Sequence, residues 1–133
     1  MLYTKYLFLI AEVVAQLNER YFQAKVRELV IRLEITDAQK TKFIPLYRQY
    51  SEEMRATVGQ RQIPAGSLSD KERLALTKRR LERQQQAQTI RLRYIDKFST
   101  ILTAQQVSRF FDVESEIQKK LIQRRQQRSR KSR

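Results

Sequence analysis

Four glutamates are the side chains of this sequence best placed to act in pairs, as a general acid and base or as ligands of a metal ion. They are Glu52 with Glu53, and Glu114 with Glu116. Carboxylates do such chemistry when burial or a close partner shifts their pKa. The residues around each pair give no sign that its members are buried together. We therefore interpret all four as solvated charges on helices, and the sequence predicts no catalytic residue.

The 133-residue sequence contains no histidine and no cysteine. Disulfides, thiol nucleophiles, the softest metal ligands and the commonest general base are therefore all missing from it. A His-Glu-x-x-His zinc motif cannot occur, and the sequence has no glycine-rich phosphate loop. This composition argues against an enzyme, and it predicts neither a cofactor nor a metal site.

Basic residues outnumber acidic residues by 28 to 14, which gives a formal net charge of +14. The last ten residues, 124–133, hold six of the basic side chains and no acidic one, so the rest of the chain is basic as well. Such a field attracts nucleic acid, anionic membranes or acidic polypeptides. A block of like charges is typical of a solvated tail, and we predict a disordered basic tail over 124–133.

The first sixteen residues, MLYTKYLFLIAEVVAQ, have two interpretations. Lys5 precedes a ten-residue apolar stretch, Tyr6 to Ala15, which only Glu12 interrupts. This order is typical of a secretory signal peptide with a small-residue cleavage site at its end. The stretch is shorter than the ~20 residues that span a bilayer. The alternative is an apolar start to the first helix, and residues 1–16 fit both interpretations.

The remainder of the chain is dominated by helix-forming residues, with two glycines, two prolines and no alternating β-branched run. We predict an all-α fold of four helices in two αα-hairpins, within a helical domain at 17–123. The helices are predicted at 17–34, 37–58, 70–100 and 104–124. Pro45 should bend the second helix, and residues 59–67 should form the main loop. Ser69 and Glu72 fit a capping box at the start of the long third helix.

Apolar residues at helical spacing predict the face that each helix buries. The predicted stripes are Phe22, Val26, Leu29 and Leu33 in the first helix; Phe43, Tyr47, Tyr50 and Met54 in the second; Leu74, Leu81, Leu92, Ile95 and Phe98 in the third; and Phe110, Val113, Ile117 and Leu121 in the fourth. The middle of the third helix, 82–88, has almost no apolar face.

A pentapeptide occurs twice, as ITDAQ and, 67 residues later, as LTAQQ. The matching positions are Ile35 and Leu102, Thr36 and Thr103, and Gln39 and Gln106. Each Thr hydroxyl can accept a hydrogen bond from the backbone N–H of the Gln, whose side chain can reach back to the Thr N–H. This is a reciprocal capping box, and the apolar residue before it packs on the core and fixes the angle of entry. The sequence therefore predicts that two helices, the second and the fourth, begin in the same way.

The likeness continues beyond the caps, because Phe43 matches Phe110 and Tyr50 matches Ile117. Paired Leu-Thr-x-x-Gln motifs in a small, basic, helical chain resemble the Spy/CpxP family of envelope stress proteins, which includes zinc-resistance-associated and heavy-metal-sensor relatives. The run Phe43-Ile-Pro-Leu-Tyr47 is similar to the Phe-Trp-Pro-Leu-Tyr run of relatives labelled as sensors of extracytoplasmic sigma factors. The resemblance covers about residues 18–123.

This resemblance implies a periplasmic protein of helical hairpins, commonly an antiparallel dimer with an elongated, cradle-like shape. Better-known members are ATP-independent chaperones or inhibitors of envelope stress signalling. The sequence differs from the family in carrying Ile35 where the first motif has Leu. It also lacks the histidine on which metal-binding relatives usually depend, so the resemblance does not imply metal binding here.

Three functions remain open from the sequence. The first is a chaperone or stress modulator that binds unfolded or acidic polypeptides, the second a regulatory protein that docks on a membrane signalling partner, and the third a nucleic-acid-binding protein, for which charge is the only support. Basic residues would steer a client and aromatic residues would contact it, although the aromatic ones also lie on the predicted core stripes. The residues expected to bind a client or partner are Arg27, Arg32, Lys40, Lys42, Arg48, Arg55, Tyr47 and Tyr50, with Phe22 as a further aromatic one. We also expect a homodimer, because a slender monomer would expose much of its apolar stripes.

Overall fold

The computed structural model describes residues 2–58 and 66–131. The described chain forms four α-helices: α1 (Leu2–Arg32), α2 (Asp37–Val58), α3 (Asp70–Ser99) and α4 (Ala104–Lys131). It contains no strand, so the predicted all-α fold of four helices is confirmed. Residues 59–65, which hold most of the predicted loop, lie outside the described chain. Over the same described ranges, no helix has an apolar stretch long enough to cross a membrane.

The helix starts follow local side-chain chemistry. α3 begins directly after Ser69, whose Oγ accepts from the backbone N–H of Glu72 at 3.2 Å, as the predicted cap requires. α2 continues through Pro45, and the bend expected there stays a prediction. α1 begins at Leu2 and not at residue 17, so residues 2–16 form the first half of that helix.

The predicted disorder of the basic tail is wrong for residues 124–131, because α4 runs on to Lys131. Gln, Arg and Lys are good helix formers, and the tail contains no Gly or Pro that would end the helix. Arg128, Arg130 and Lys131 lie in the last turn, where cations interact favourably with the helix dipole. The remaining tail residues, 132–133, are outside the described chain.

The chain divides into two compact units, of which unit 1 comprises residues 1–40 and 103–133. In unit 1, α1 packs against α4. The buried apolar side chains of α1, of the residue directly after it and of α4 are Phe22, Val26, Leu29, Leu33, Val107, Phe110, Val113 and Ile117. Seven of the eight belong to the predicted stripes, so those stripes are confirmed for α1 and for most of α4.

Unit 2 comprises residues 41–102, and its core is a cluster of aromatic rings from α2 and α3. The ring of Tyr50 meets that of Tyr94 edge-on, with centroids 5.2 Å apart, and lies 5.9 Å from that of Phe98. Phe43 lies 5.8 Å from Phe98. Edge-on and tilted contacts of this kind suit the quadrupoles of aromatic rings. The rings thus fix the side of α3 that faces α2.

The predicted stripe of α3 is wrong except at Phe98. The buried side chains of α3 are Ile90, Tyr94 and Phe98, at intervals of four residues. Leu74, Leu81, Leu92 and Ile95 are instead exposed, by 71%, 54%, 66% and 38%. The helix has apolar residues on two faces, and spacing alone does not say which face packs. The aromatic rings of α2 select the face that carries Tyr94.

Candidate functional site

The first capping box is formed at the start of α2. The backbone N–H of Thr36 donates to Gln39 Oε1 at 3.0 Å, and the backbone N–H of Gln39 donates to Thr36 Oγ1 at 3.2 Å. The first helical hydrogen bond follows, from Lys40 N–H to the Thr36 carbonyl at 2.9 Å. Ile35, just before the box, is 7% exposed. Two of the N–H groups that every helix start leaves unpaired are therefore satisfied by side chains.

The second box has the same geometry at the start of α4. The Thr103 N–H donates to Gln106 Oε1 at 2.9 Å, and the Gln106 N–H donates to Thr103 Oγ1 at 3.2 Å. Val107 N–H then donates to the Thr103 carbonyl at 3.0 Å. Leu102, which precedes the box, is 5% exposed. The two boxes agree within 0.1 Å in their matching distances.

The two boxes are bonded to each other in unit 1, a contact that sequence reasoning missed. Gln39 Nε2 donates to Gln106 Oε1 at 2.9 Å, and Gln106 Nε2 donates to Gln39 Oε1 at 3.1 Å. Each amide oxygen thus accepts twice, from its own box's Thr N–H and from the other glutamine, which fills both of its lone pairs. An amide can do this because it carries both an acceptor and a donor, whereas two facing carboxylates would repel each other.

Gln106 also binds the end of α1. Its Nε2 lies 3.1 Å from the carbonyl oxygen of Leu33 and 3.3 Å from that of Glu34. The last carbonyls of a helix have no partner within the helix, so Gln106 satisfies groups that α1 leaves open. The side chain of Gln106 therefore caps the start of α4, donates to the carbonyls that follow α1, and pairs with the Gln39 amide in the capping box of α2.

The backbone at the end of α1 reverses sharply at Glu34, which adopts φ +53°, a conformation that favours glycine. Ile35 N–H donates to the Val30 carbonyl at 3.0 Å, and Glu34 N–H donates to the Ile31 carbonyl at 3.3 Å. These two bonds define a Schellman C-cap. The reversal presents the carbonyls of residues 33 and 34 to Gln106.

The cations expected to bind a client lie mostly at the surface of their own units. Arg27, Lys42 and Arg55 are exposed, and Lys40 and Arg48 are half-exposed. Arg32 instead forms an ion pair with Glu116 within unit 1. Hydrogen bonding to this guanidinium, and then its charge, lower the pKa of Glu116. Arg32 is therefore already engaged.

The aromatic residues considered for the client site are buried, each within the core of its own unit. Tyr47 and Tyr50 are 0% and 2% exposed, inside the aromatic core of unit 2, and Phe22 is 4% exposed in unit 1. Their helical spacing already predicted that they lie on the core stripes, and in the structure their side chains pack in the core. Most of the exposed large apolar side chains of the described chain instead belong to the outer face of α3 and to the first half of α1.

Two of the four glutamates considered as pairs contact arginines of their own units. Glu53 contacts Arg93 at 3.4 Å, and Glu116 binds Arg32. Glu114 is 7% exposed, so its interpretation as a solvated charge is wrong; its Oε1 accepts from Gln118 Nε2 at 3.2 Å. No group of three carboxylates that could hold a metal ion occurs in the described ranges.

The part of the chain that contains the two capping boxes is similar to a known protein family. Residues 22–114 match the model of a family described as LTXXQ motif family protein. The match covers both boxes and the helices between them. No curated protein and no solved structure matches the chain.

Proposed function

This chain belongs to the LTXXQ motif family, a family of periplasmic stress-related, non-catalytic proteins, and on that premise we propose that it is a periplasmic, ATP-independent chaperone or envelope-stress modulator. It binds unfolded or partner polypeptides through a basic helical surface. Binding and release are passive, because the sequence carries no nucleotide-binding motif.

The observation that supports this proposal best is the outer face of α3. Leu74, Leu81 and Leu92 are each more than half exposed. Three exposed cations lie between Leu74 and Leu81 in the sequence: Lys78, Arg79 and Arg80. Cations of this kind attract acidic segments over long distances, while exposed leucines give apolar contact without a fixed register. Unfolded chains offer both kinds of segment.

Cations elsewhere strengthen the attraction without forming a pocket. Lys42, Arg48 and Arg55 on α2 belong to the same unit as α3, and Arg27 and Lys40 belong to unit 1. The outer leucines of α3 supply the apolar contacts with a client, because the tyrosines first expected to make these contacts are buried.

Suppression of the aggregation of a denatured model protein at low salt tests this proposal. We expect the wild-type chain to slow aggregation, and a Leu81→Gln/Leu92→Gln variant to lose most of that effect. Ile31→Gln is the matched control, because Ile31 is 68% exposed but lies on α1 in the other unit. A wild-type chain without effect at several-fold molar excess would contradict chaperone activity.

A regulatory role is the alternative within the same family, in which the chain docks on a membrane signalling protein. A pull-down from envelope extracts separates the two roles. One stoichiometric membrane partner favours regulation, and many substoichiometric clients favour chaperoning. Fractionation with N-terminal sequencing tests the periplasmic location and shows whether residues 1–16 are removed.

We also propose a homodimer, in which the outer leucines of α3 pack against those of a second copy. Clients and the second copy then compete for the same side chains, so a client should shift the equilibrium toward monomer. Sedimentation velocity at tens of micromolar tests this: we expect a dimer for the wild type and a monomer for Leu81→Gln/Leu92→Gln. A monomeric wild-type chain would contradict it.

A further inference from the structure

A groove of about 650 Å³ lies between α2 and α3 within unit 2. Its volume is within the range of sites that bind ligands in proteins. The polar residues of its α3 wall are Glu82, Gln85, Gln86, Thr89 and Arg93. They follow the spacing i, i+3, i+4, i+7 and i+11, so they share one side of the helix.

The groove presents hydrogen-bonding groups that the described chain leaves available. The Thr57 hydroxyl donates to the Met54 carbonyl at 2.7 Å and the Thr89 hydroxyl to the Gln85 carbonyl at 3.1 Å, so the lone pairs of both hydroxyls can accept from a ligand. Within the described chain, the side-chain amides of Gln85 and Gln86 form no hydrogen bond. Each amide carries two donors and an acceptor, so the groove offers donors and acceptors together.

The charges of the groove favour a neutral ligand. Glu53 and Arg93 pair with each other at 3.4 Å, and Glu82 adds a second carboxylate to the walls. These carboxylates disfavour an anion inside the groove, while the net charge of +14 on the whole chain repels cations from a distance. A neutral group with donors and acceptors therefore suits the groove best.

The groove adjoins the outer leucines of α3, because Gln85 belongs to both surfaces. Gln85 follows Leu81 by four residues and precedes Leu92 by seven, so the three lie in one row along the helix. Leu81 and Leu92 are 54% and 66% exposed. A polypeptide that lies along this row meets exposed apolar side chains and the polar wall of the groove at the same time.

We propose that the groove binds the main chain of an extended, unfolded client segment, whose apolar side chains lie on the outer leucines of α3. This inference rests on the proposed function and names the part of the client that is recognised. The N–H and C=O groups of a polypeptide are neutral and occur at every residue except proline, which lacks the N–H, so they match the groove without regard to sequence. The wall from Glu82 to Arg93 is about 16 Å long at ~1.5 Å per residue, which accommodates roughly five residues of an extended chain.

Recognition of the main chain also gives a means of release without a nucleotide. A client that folds uses its N–H and C=O groups in its own helices and sheets. These groups are then withdrawn from the groove, so the affinity of the client falls as it folds.

Fluorescence anisotropy with two synthetic peptides and the full 133-residue chain tests this proposal. The first probe is a fluorescein-labelled peptide of about twelve Leu, Ser and Asp residues, long enough to extend beyond the groove at both ends. The second has the same side chains and a methyl group on alternate backbone nitrogens. We expect the wild type to bind the first roughly 10-fold more tightly, because methylation removes donors to the groove.

Gln86→Ala/Thr89→Val removes one amide and one hydroxyl from the groove. This variant should weaken binding of the unmodified peptide by roughly 10-fold, with less effect on the methylated peptide. Thr77→Val/Gln84→Ala is the matched control, because both residues are exposed on α3 outside the groove. The Thr77 hydroxyl donates to a carbonyl of its own helix, as that of Thr89 does. The control should bind both peptides as the wild type does, and circular dichroism should show that both variants keep their helices.

The leucine variant separates this proposal from the proposed function. Leu81→Gln/Leu92→Gln should weaken binding of both peptides by the same factor, since it removes apolar contacts alone. Equal affinity of the wild type for the two peptides, or unchanged affinity of Gln86→Ala/Thr89→Val, would overturn main-chain recognition. Aggregation suppression that still depends on the two leucines would then leave the proposed function standing, whereas a wild type that neither binds peptide nor suppresses aggregation would overturn both.

A lysine-rich peptide tests the opposite kind of ligand. We expect it to bind no more tightly than the first probe, and Glu82→Gln to leave its affinity within about 2-fold of the wild type. Tighter binding that Glu82→Gln abolishes would make the groove a site for cationic side chains and would overturn the proposal.

Discussion

The side-chain amides of Gln39 and Gln106 form a reciprocal pair, with N–O distances of 2.9 and 3.1 Å. Each glutamine completes its own capping box and also contacts the other, so two helix starts that are 67 residues apart share one hydrogen-bond network. The shared network explains why both positions carry an amide, although a glutamate would serve an isolated capping box equally well.

Replacing Gln106 with glutamate separates these two roles. The carboxylate of Gln106→Glu can still accept from the Thr103 N–H, but it cannot donate to Gln39 or to the carbonyls of Leu33 and Glu34. Leaving such acceptors unpaired costs about 1–3 kcal/mol, so we expect a loss of about 2 kcal/mol in the free energy of unfolding. Urea unfolding measures it.

Gln105→Glu is the matched control, because it adds the same charge one residue earlier at an exposed position in the first turn of α4. Negative charge is favourable there, and we expect unchanged or slightly raised stability. Equal effects of the two substitutions would show that charge, and not the lost donor, determines the result.

Each threonine hydroxyl should contribute less to the free energy of unfolding than the Gln106 amide does. Thr36→Ala and Thr103→Ala remove the acceptor for one backbone N–H, at an expected cost of about 1 kcal/mol each. Thr36→Ser and Thr103→Ser keep the hydroxyl and should stay within a few tenths of a kcal/mol of the wild type. Urea midpoints that do not move in the alanine variants would refute the capping role of these residues.

Replacing Glu34 with glycine should raise the free energy of unfolding. This residue adopts φ +53°, which costs an L-residue about 1–2 kcal/mol, while glycine adopts it freely but loses more backbone entropy on folding. We expect Glu34→Gly to stabilise the chain by about 1 kcal/mol in thermal or urea unfolding. Glu28→Gly, inside α1 about one turn before its end, should instead destabilise it by about 1 kcal/mol. Destabilisation by both would contradict the conformation assigned to Glu34.

Alkaline pH should destabilise the aromatic core of unit 2. Burial, and after it the neighbouring Glu53 carboxylate, raise the pKa of Tyr94 from 10.0 to about 12. The folded chain therefore holds this proton more tightly than the unfolded chain does. The resulting stabilisation is complete below pH 10 and is lost as the pH rises from 10 through about 12.

Urea unfolding across this pH range, together with the absorbance of ionised tyrosine, checks the prediction. Tyr94→Phe keeps the ring and removes the titrating hydroxyl, so its stability should fall less steeply between pH 10 and pH 12. A wild type and a Tyr94→Phe variant with the same alkaline dependence would contradict the shifted pKa.

The parts of this fold that could be predicted from the sequence are those that depend on near neighbours. Thr36 and Gln39 are three residues apart, so their box follows from the chemistry of a helix start, and Phe22 and Leu29 follow from helical spacing. The predicted end of α4, at residue 124, is too early. The run of like charges in the tail indicated disorder, although its residues are good helix formers.

The parts that could not be predicted depend on contacts between distant segments. Nothing near Gln39 in the sequence indicates that its amide meets that of Gln106. Likewise, α3 has two faces with apolar residues, and only the rings of α2 decide that Tyr94 is buried and Leu92 exposed. A pairing signal existed in the identical glutamine of the two motifs, since a capping box alone would also accept glutamate.

A double-mutant cycle on Gln39 and Gln106 tests the joined boxes most directly. The free energies of unfolding of the wild type, Gln39→Ala, Gln106→Ala and the double variant give the coupling between the two side chains. Joined boxes predict that the two single losses do not add, with a coupling of about 1 kcal/mol or more. Losses that add to within the error of the measurement would show that the two boxes act independently, and would contradict the account.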